Sequence, residues 1–134
     1  MVHNGIEYGL MQAYAEGFAL LQAKQEFSLD VGAIAQAWRH GTVVRSWLLD
    51  LGAQALQGNA ALSDVAPVVA DSGEGRWTVR ESIELGVPVP VIGAALNVRL
   101  ASQGRGDYGA RFLARLRNAF GGHVMQAAGK PGAR

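Results

Sequence analysis

Glycine closes one apolar run after another in this sequence, and between the glycines the apolar residues recur at intervals of three and four. Gly41, Gly58, Gly86, Gly104 and Gly121 stand where periodic segments end. A helix C-terminus needs a residue there that accepts a left-handed backbone. Ile6, Leu10, Ala13, Tyr14, Gly17, Leu20 and Leu21 form one stripe; Ile34, Ala37 and Trp38 form a second; Trp47, Leu48, Leu51 and Leu56 form a third. That period belongs to one face of an α-helix, whereas a half-buried strand alternates every second residue. The spacing predicts helices over 3–25, 30–40, 43–57, 61–70, 78–86, 90–103 and 107–119. No strand is predicted, because the alternating runs are short and proline interrupts the best of them. The expected fold class is all-α: a multi-helix bundle over residues 1–125 with a long central first helix. The segment 126–134 is small, polar and contains Gly and Pro, and is expected to be a flexible tail or to dock on a partner.

Local chemistry sets several boundaries. Thr78-Val79-Arg80-Glu81 has the capping-box form, in which the hydroxyl and the carboxylate each satisfy an exposed helix N–H. Asp107 is placed to cap the segment 108–120, and its charge suits a helix N-terminus. Val87-Pro88-Val89-Pro90 cannot be helix interior, so it reads as a rigid link with Pro90 opening the next helix.

Composition narrows the function. With 134 residues, 49% hydrophobic and 17% charged, the chain can bury a core and is not of disordered type. A formal charge of +1 gives no basis for bulk electrostatic capture of nucleic acid or of an anionic membrane. The absence of cysteine excludes disulfides, thiolate catalysis and Cys-ligated metals. Glu, Lys or Arg interrupts each apolar stretch before it reaches membrane length, and the N-terminus has no signal-peptide form. The expectation is a soluble, cytoplasmic domain.

Three clusters carry chemistry. At about 100° per residue, His3, Asn4, Glu7 and Tyr8 share one face of the first helix. An imidazole, an amide, a carboxylate and a phenol on one strip can bind a polyhydroxylated or carboxylated molecule, and Glu7 can transfer a proton; a solvated polar face is the plainer alternative. His3 and Glu7 alone are too few for a metal site. The second cluster, Asp71-Ser72-Gly73-Glu74-Gly75-Arg76-Trp77-Thr78, alternates glycine with polar residues ahead of a helix, an arrangement that exposes backbone N–H groups to an anion or simply connects two helices. In the third, Arg117-Asn118-Ala119-Phe120-Gly121-Gly122-His123, an arginine fork closes a helix and two glycines re-aim the chain toward His123. Arg99 lies on an otherwise apolar helix and either reaches solvent or serves an anion. Trp38, Trp47 and Trp77 read as core or interface anchors.

These clusters together resemble a known family. Met1-Val2-His3-Asn4-Gly5-Ile6-Glu7-Tyr8-Gly9 is similar to the active-site helix of the 6-phosphogluconate dehydrogenases. Gly75-Arg76-Trp77-Thr78, Gly86-Val87-Pro88-Val89 and the run from Arg117 to His123 match in order and interval, so the resemblance covers nearly the whole chain. The Asp-Ser-Gly-Glu-Gly-Arg-Trp form and the brief tail look like the shorter bacterial branch, often NAD-linked and tied to gluconate use.

The resemblance implies oxidation of 6-phosphogluconate at C3 by hydride transfer to NAD or NADP, loss of CO2, and reprotonation of the enediol to ribulose 5-phosphate. It implies that Glu7 is the acid that protonates C1. His3 and Asn4 would orient the substrate's hydroxyls and carboxylate. Tyr8 and Arg99 would bind its phosphate, and Arg117 and His123 would reach the phosphate of a neighbouring subunit. It implies a homodimer or higher homo-oligomer, with apolar residues around Trp38 and Trp47 between subunits, and no metal. Two departures accompany it. Ser72 stands where many longer members carry a substrate-contacting lysine. The family's catalytic lysine and dinucleotide-binding domain precede the matched run and are absent from this sequence, so the chain by itself is expected to lack dehydrogenase activity. The alternatives are the helical domain of another β-hydroxyacid dehydrogenase, which would not need the Arg117–His123 pair, and a non-catalytic dimerisation module.

Overall fold

The computed structural model describes residues 1–126. Within them lie six α-helices: α1 (Val2–Ala23), α2 (Val31–Trp38), α3 (Trp47–Ala55), α4 (Glu74–Leu85), α5 (Pro90–Leu100) and α6 (Asp107–Gly121). No strand occurs among the described residues. The expected tail, 126–134, lies outside them save for its first residue.

α1 is the spine. It packs along one part of its length against α4 and α5 and along another against α2, which pairs with α3. Two small cores result. Val31, Ala35, Ala53 and Leu56 gather beneath Phe18 and Leu21. Tyr8, Ala95 and Leu96 gather with Val79 and Leu100. Asp30 caps α2 by accepting from the Ala33 N–H at 2.8 Å, and Ser46 caps α3 by accepting from the Leu49 N–H at 3.0 Å. Pro90 opens α5 as expected. Gly41, Gly58, Gly86 and Gly104 have positive φ as expected, but the last helix closes one residue later: Gly121 is helical and Gly122 takes the left-handed position.

The sequence reading is corrected at four places. The helix expected over 61–70 does not form. Pro67 has no N–H to give a helix and disfavours helical geometry at Ala66, and Leu62 sits at φ 49°. The segment instead runs past the end of α5, where side chains satisfy its backbone. The Val69 N–H donates to Ser102 Oγ at 3.0 Å, Gln103 Nε2 donates to the Val69 carbonyl at 2.8 Å, and Arg99 Nη1 donates to the Ala70 carbonyl at 2.8 Å.

The capping box at Thr78 is not one. α4 already begins at Glu74 behind Gly73, and the Thr78 hydroxyl lies 2.9 Å from the Glu74 carbonyl and 3.1 Å from that of Met1. It ties the start of α1 to α4. Asp107 does not cap α6 either: Gly106 holds that position and Asp107 is the first helical residue, with no side-chain capping bond. Its charge still sits in the first turn, 3.8 Å from Arg111 Nη2.

The apolar stripe of α1 is the fourth correction. Ile6 and Leu10 remain about half exposed, and the buried residues are Gly5, Tyr8 and Gly9. Glycine rather than bulk decides this face, because it lets a neighbouring helix come close. A Cβ on Gly5 would stand 2.7 Å from Thr78 Cγ2, and one on Gly75 would overlap the Tyr8 ring. The tryptophans divide. Trp38 is half-buried with its ring 5.8 Å from that of Phe18, whereas Trp47 and Trp77 are exposed.

α6 stands apart. After α5, a wide turn (Ala101–Arg105) bends the chain at Gly104, φ 77°. α6 packs chiefly on that turn and buries none of its own residues.

Candidate functional site

The polar strip of α1 forms, but it splits by depth. His3 is exposed, Asn4 and Glu7 are partly covered and Tyr8 is buried. His3 Nδ1 lies 3.4 Å from Glu7 Oε2, one turn along the helix, and 3.3 Å from Asn4 Oδ1. These three therefore make one connected polar group at the open end of α1. Tyr8 turns inward between α4 and α5.

Around Tyr8 the structure assembles residues that are far apart in sequence. Arg99 reaches across from α5 and lays its guanidinium carbon 3.8 Å from the centre of the Tyr8 ring, a cation over the electron-rich face of an aromatic. The Tyr8 hydroxyl donates toward Asp71 Oδ1 at 3.4 Å and lies 3.5 Å from Ser72 Oγ. Asp71 is the hub of this corner. Its side chain is only 5% exposed, Oδ1 also accepts from the Gly73 N–H at 3.0 Å, and Oδ2 pairs with Arg76 Nε at 2.9 Å. Ser72 donates to the Glu74 carboxylate. That bond, and then the backbone N–H of Glu74 itself, hold the Glu74 carboxyl below its ordinary range. A cavity of about 130 Å³ lies beside Tyr8 and Arg99, bounded also by Met11, Gln12 and Ser102.

Sequence reasoning placed His3, Asn4, Glu7 and Tyr8 on one helix face and left Arg99 to solvent or an anion; in the structure His3, Asn4 and Glu7 stay together, while Tyr8 turns inward and meets Arg99. It treated Asp71 as a member of a glycine-bearing loop, and Arg76 as part of that loop and of the Gly75-Arg76-Trp77-Thr78 match. Their link to Tyr8 had no sequence signal, because Tyr8 lies on α1, Asp71 on the segment before α4 and Arg76 on α4. Arg117 and His123 share a different cavity of about 260 Å³ with Ala114 and Val124, at the C-terminal end of α6 and the residues just beyond it. Among the described residues no hydrogen bond or ion pair joins them to the Tyr8 corner. No group of three His, Asp or Glu side chains among the described residues could hold a metal ion, and no helix there is long and apolar enough to cross a membrane. A dinucleotide's usual cradle is a strand, a glycine turn and a helix, and the described residues hold no such unit.

Fold and site together define an all-helical domain that gathers polar and cationic side chains at the open end of its longest helix. The chain belongs to the family described as the 6-phosphogluconate dehydrogenase C-terminal domain, whose model matches residues 1–111. It is 46% identical over 126 residues to the NAD(+)-dependent, decarboxylating 6-phosphogluconate dehydrogenase of Haloferax volcanii, covering 93% of this chain and 42% of that protein. It is 34% identical over 109 residues to the decarboxylating 6-phosphogluconate dehydrogenase of Synechocystis, covering 76% of this chain and 23% of that protein. The chain thus spans less than half the length of these relatives. Among solved structures it is similar to Plasmodium falciparum 6-phosphogluconate dehydrogenase, described in its apo form, with NADP+ and with 6-phosphogluconate. The TM-score is 0.68 and the identity 25%, over all of this chain and 28% of that one.

Proposed function

We propose that this chain is the substrate-binding and dimerisation part of a cytoplasmic, decarboxylating 6-phosphogluconate dehydrogenase, and that it does not turn over by itself. The observation that carries the reading is the stack of Arg99 on Tyr8, the residue next to Glu7 and one helical turn from Asn4. It sets a cation and a phenol at one end of a strip whose other end offers a carboxylate, an amide and an imidazole. An extended sugar acid with an anionic group at each end fits such a strip. The nicotinamide cofactor, NAD or NADP, supplies the hydride acceptor when bound, and its site lies in a domain outside this chain.

This chain's own work is positioning and proton transfer. Tyr8 and Arg99 hold the phosphate. His3 and Asn4 orient the carboxylate and hydroxyls, so that C3 faces the acceptor and C2, which becomes C1 of the enediol once the carboxylate is lost, faces Glu7. After CO2 leaves, the electron pair from the broken bond rests in an enediol, and Glu7 delivers a proton to C1. Arg117 and His123 reach the phosphate from a second copy. That role suits their joint cavity on an arm that leaves the body of its own chain.

Calorimetric titration of the chain with 6-phosphogluconate, and in parallel with gluconate, tests the reading. Binding that requires the phosphate and weakens in Arg99→Ala and Arg117→Ala supports it. Equal affinity for both ligands, or no effect of either variant, overturns it.

A further inference from the structure

α1 opens with little support from its own residues. Met1 stands at the N-cap and gives no side-chain capping bond, and the first turn carries no acid. Gly5 closes that turn, and glycine weakens a helix relative to alanine. Yet His3 and Asn4 lie in this turn, and the contacts of His3 with Asn4 and with Glu7 exist only while it is wound. The support comes from α4. The Met1 carbonyl accepts from the Gly5 N–H at 3.1 Å, which is the bond that closes the turn, and the Thr78 hydroxyl lies 3.1 Å from the same oxygen. Thr78 is 5% exposed, so water hardly competes for that hydroxyl. Its methyl group lies against Gly5, so near that a Cβ there would stand 2.7 Å away. One side chain thus grips both partners of the closing bond: its hydroxyl holds the acceptor and its methyl backs the glycine that donates.

We infer that Thr78 is a positioning residue for the ligand. From α4 it keeps the first turn of α1 wound, and so holds His3 and Asn4 in register with Glu7 and Tyr8 before the ligand arrives. Gly5 is the other half of the device, because only a residue without a Cβ lets Thr78 come so close. A turn that unwinds part of the time binds only through its wound fraction, and the apparent affinity falls by that fraction. What Thr78 contributes is therefore preorganisation, not a contact with the ligand. This inference rests on the reading of His3 and Asn4 as contacts to the sugar acid.

The test compares the parent chain with Thr78→Val, which keeps the shape and loses the hydroxyl, and with Thr78→Ser, which keeps the hydroxyl. Hydrogen exchange reads the Gly5 amide, and calorimetry reads 6-phosphogluconate and inorganic phosphate. In Thr78→Val the Gly5 amide should exchange about fivefold faster and 6-phosphogluconate should bind about fivefold more weakly, the effect of one ordinary hydrogen bond. Inorganic phosphate, which needs only the Tyr8–Arg99 end, should bind as before, and Thr78→Ser should stay near the parent. Gly5→Ala approaches the same contact from the other side. Its affinity for 6-phosphogluconate should fall although alanine is the better helix former, and Gly5→Ala/Thr78→Ser, which removes the obstructing methyl, should recover part of it; this pair decides if Thr78→Val does not fold. If Thr78→Val weakens both ligands equally or neither, or if Gly5→Ala binds as tightly as the parent, the inference is overturned and the reading of the site stands. If the parent chain binds no 6-phosphogluconate, both are overturned.

Discussion

Arg99 bridges two parts of the molecule through Tyr8: its guanidinium lies 3.8 Å from the ring centre while Nη1 donates to the Ala70 carbonyl at 2.8 Å. One side chain from α5 therefore pins both α1 and the extended segment that leads to Asp71. Arg99→Ala removes a cation–π contact and a hydrogen bond, and should lower unfolding stability by about 1–2 kcal/mol. Arg99→Lys should recover only a fraction, since an ammonium cannot both lie flat on the ring and reach Ala70. Urea denaturation followed by circular dichroism reads the difference. An unchanged midpoint in Arg99→Ala would mean that the bridge contributes nothing to the fold.

Gly75 and Tyr8 are fitted to each other. Alanine is normally the better helix former, yet a Cβ at position 75 would overlap the Tyr8 ring. Gly75→Ala should therefore destabilise, by about 1–3 kcal/mol, through overpacking. The same substitution should cost much less in a Tyr8→Ala background, where the ring is gone. The coupling energy from that double-mutant cycle isolates the clash. Additive effects of the two substitutions would show that the ring moves aside freely.

Glu74 supplies the pH prediction. Its carboxyl is held below the ordinary range by the Ser72 hydroxyl and by its own backbone N–H at the first turn of α4. A group whose acidity is strengthened by folding stabilises the fold above its unfolded pKa, and that contribution disappears as the pH falls through the folded value. Melting temperatures of the parent chain and of Glu74→Gln should thus converge as the pH falls through the carboxylate range below 4.5. Parallel curves across that range would show that the Ser72–Glu74 contact is not coupled to folding.

The helices were legible where a boundary has a local cause. Pro90, Asp30 and Gly86 each act through their own backbone or side chain, and each stands at a helix end. Thr78 misled because a threonine hydroxyl serves a helix N-terminus or the carbonyl four residues back with equal ease, and only the position of Gly73 decides between them. The stripe Ile6–Leu10 misled because periodicity reports which face is apolar. The approach of α4 and α5 is instead set by Gly5, Gly9 and Gly75, which carry no hydrophobic signal. In the site, Glu7 and Tyr8 were legible together because one helix holds them at fixed spacing. The partnership of Tyr8 with Asp71 and Arg76 was not, because it exists only after α4 has packed on α1.

α6 yields the last prediction. Tyr108, Phe112, Leu116 and Phe120 recur every fourth residue, with Tyr108 and Phe120 about 80% exposed. An exposed apolar stripe of this kind marks an interface. Charge identifies what covers it. Arg105, Arg111, Arg115 and Arg117 outweigh Asp107 on this arm, whereas acids outnumber bases over residues 1–100, giving the near-neutral whole. Basic arm and acidic body are complementary between two copies of one chain, and such an exchange closes as a symmetric dimer. We therefore expect a homodimer in solution that weakens as salt is raised. Phe112→Asp/Leu116→Asp should give a monomer with an unchanged melting profile of the body, because α6 contributes no residue to either core. Its affinity for 6-phosphogluconate should fall as well, since Arg117 and His123 of the second copy are lost with the contact. Light scattering over a wide concentration range, with titration of the same samples, checks both. A monomeric parent chain, or a monomeric variant that binds 6-phosphogluconate as tightly as the parent, would remove the second copy from the site.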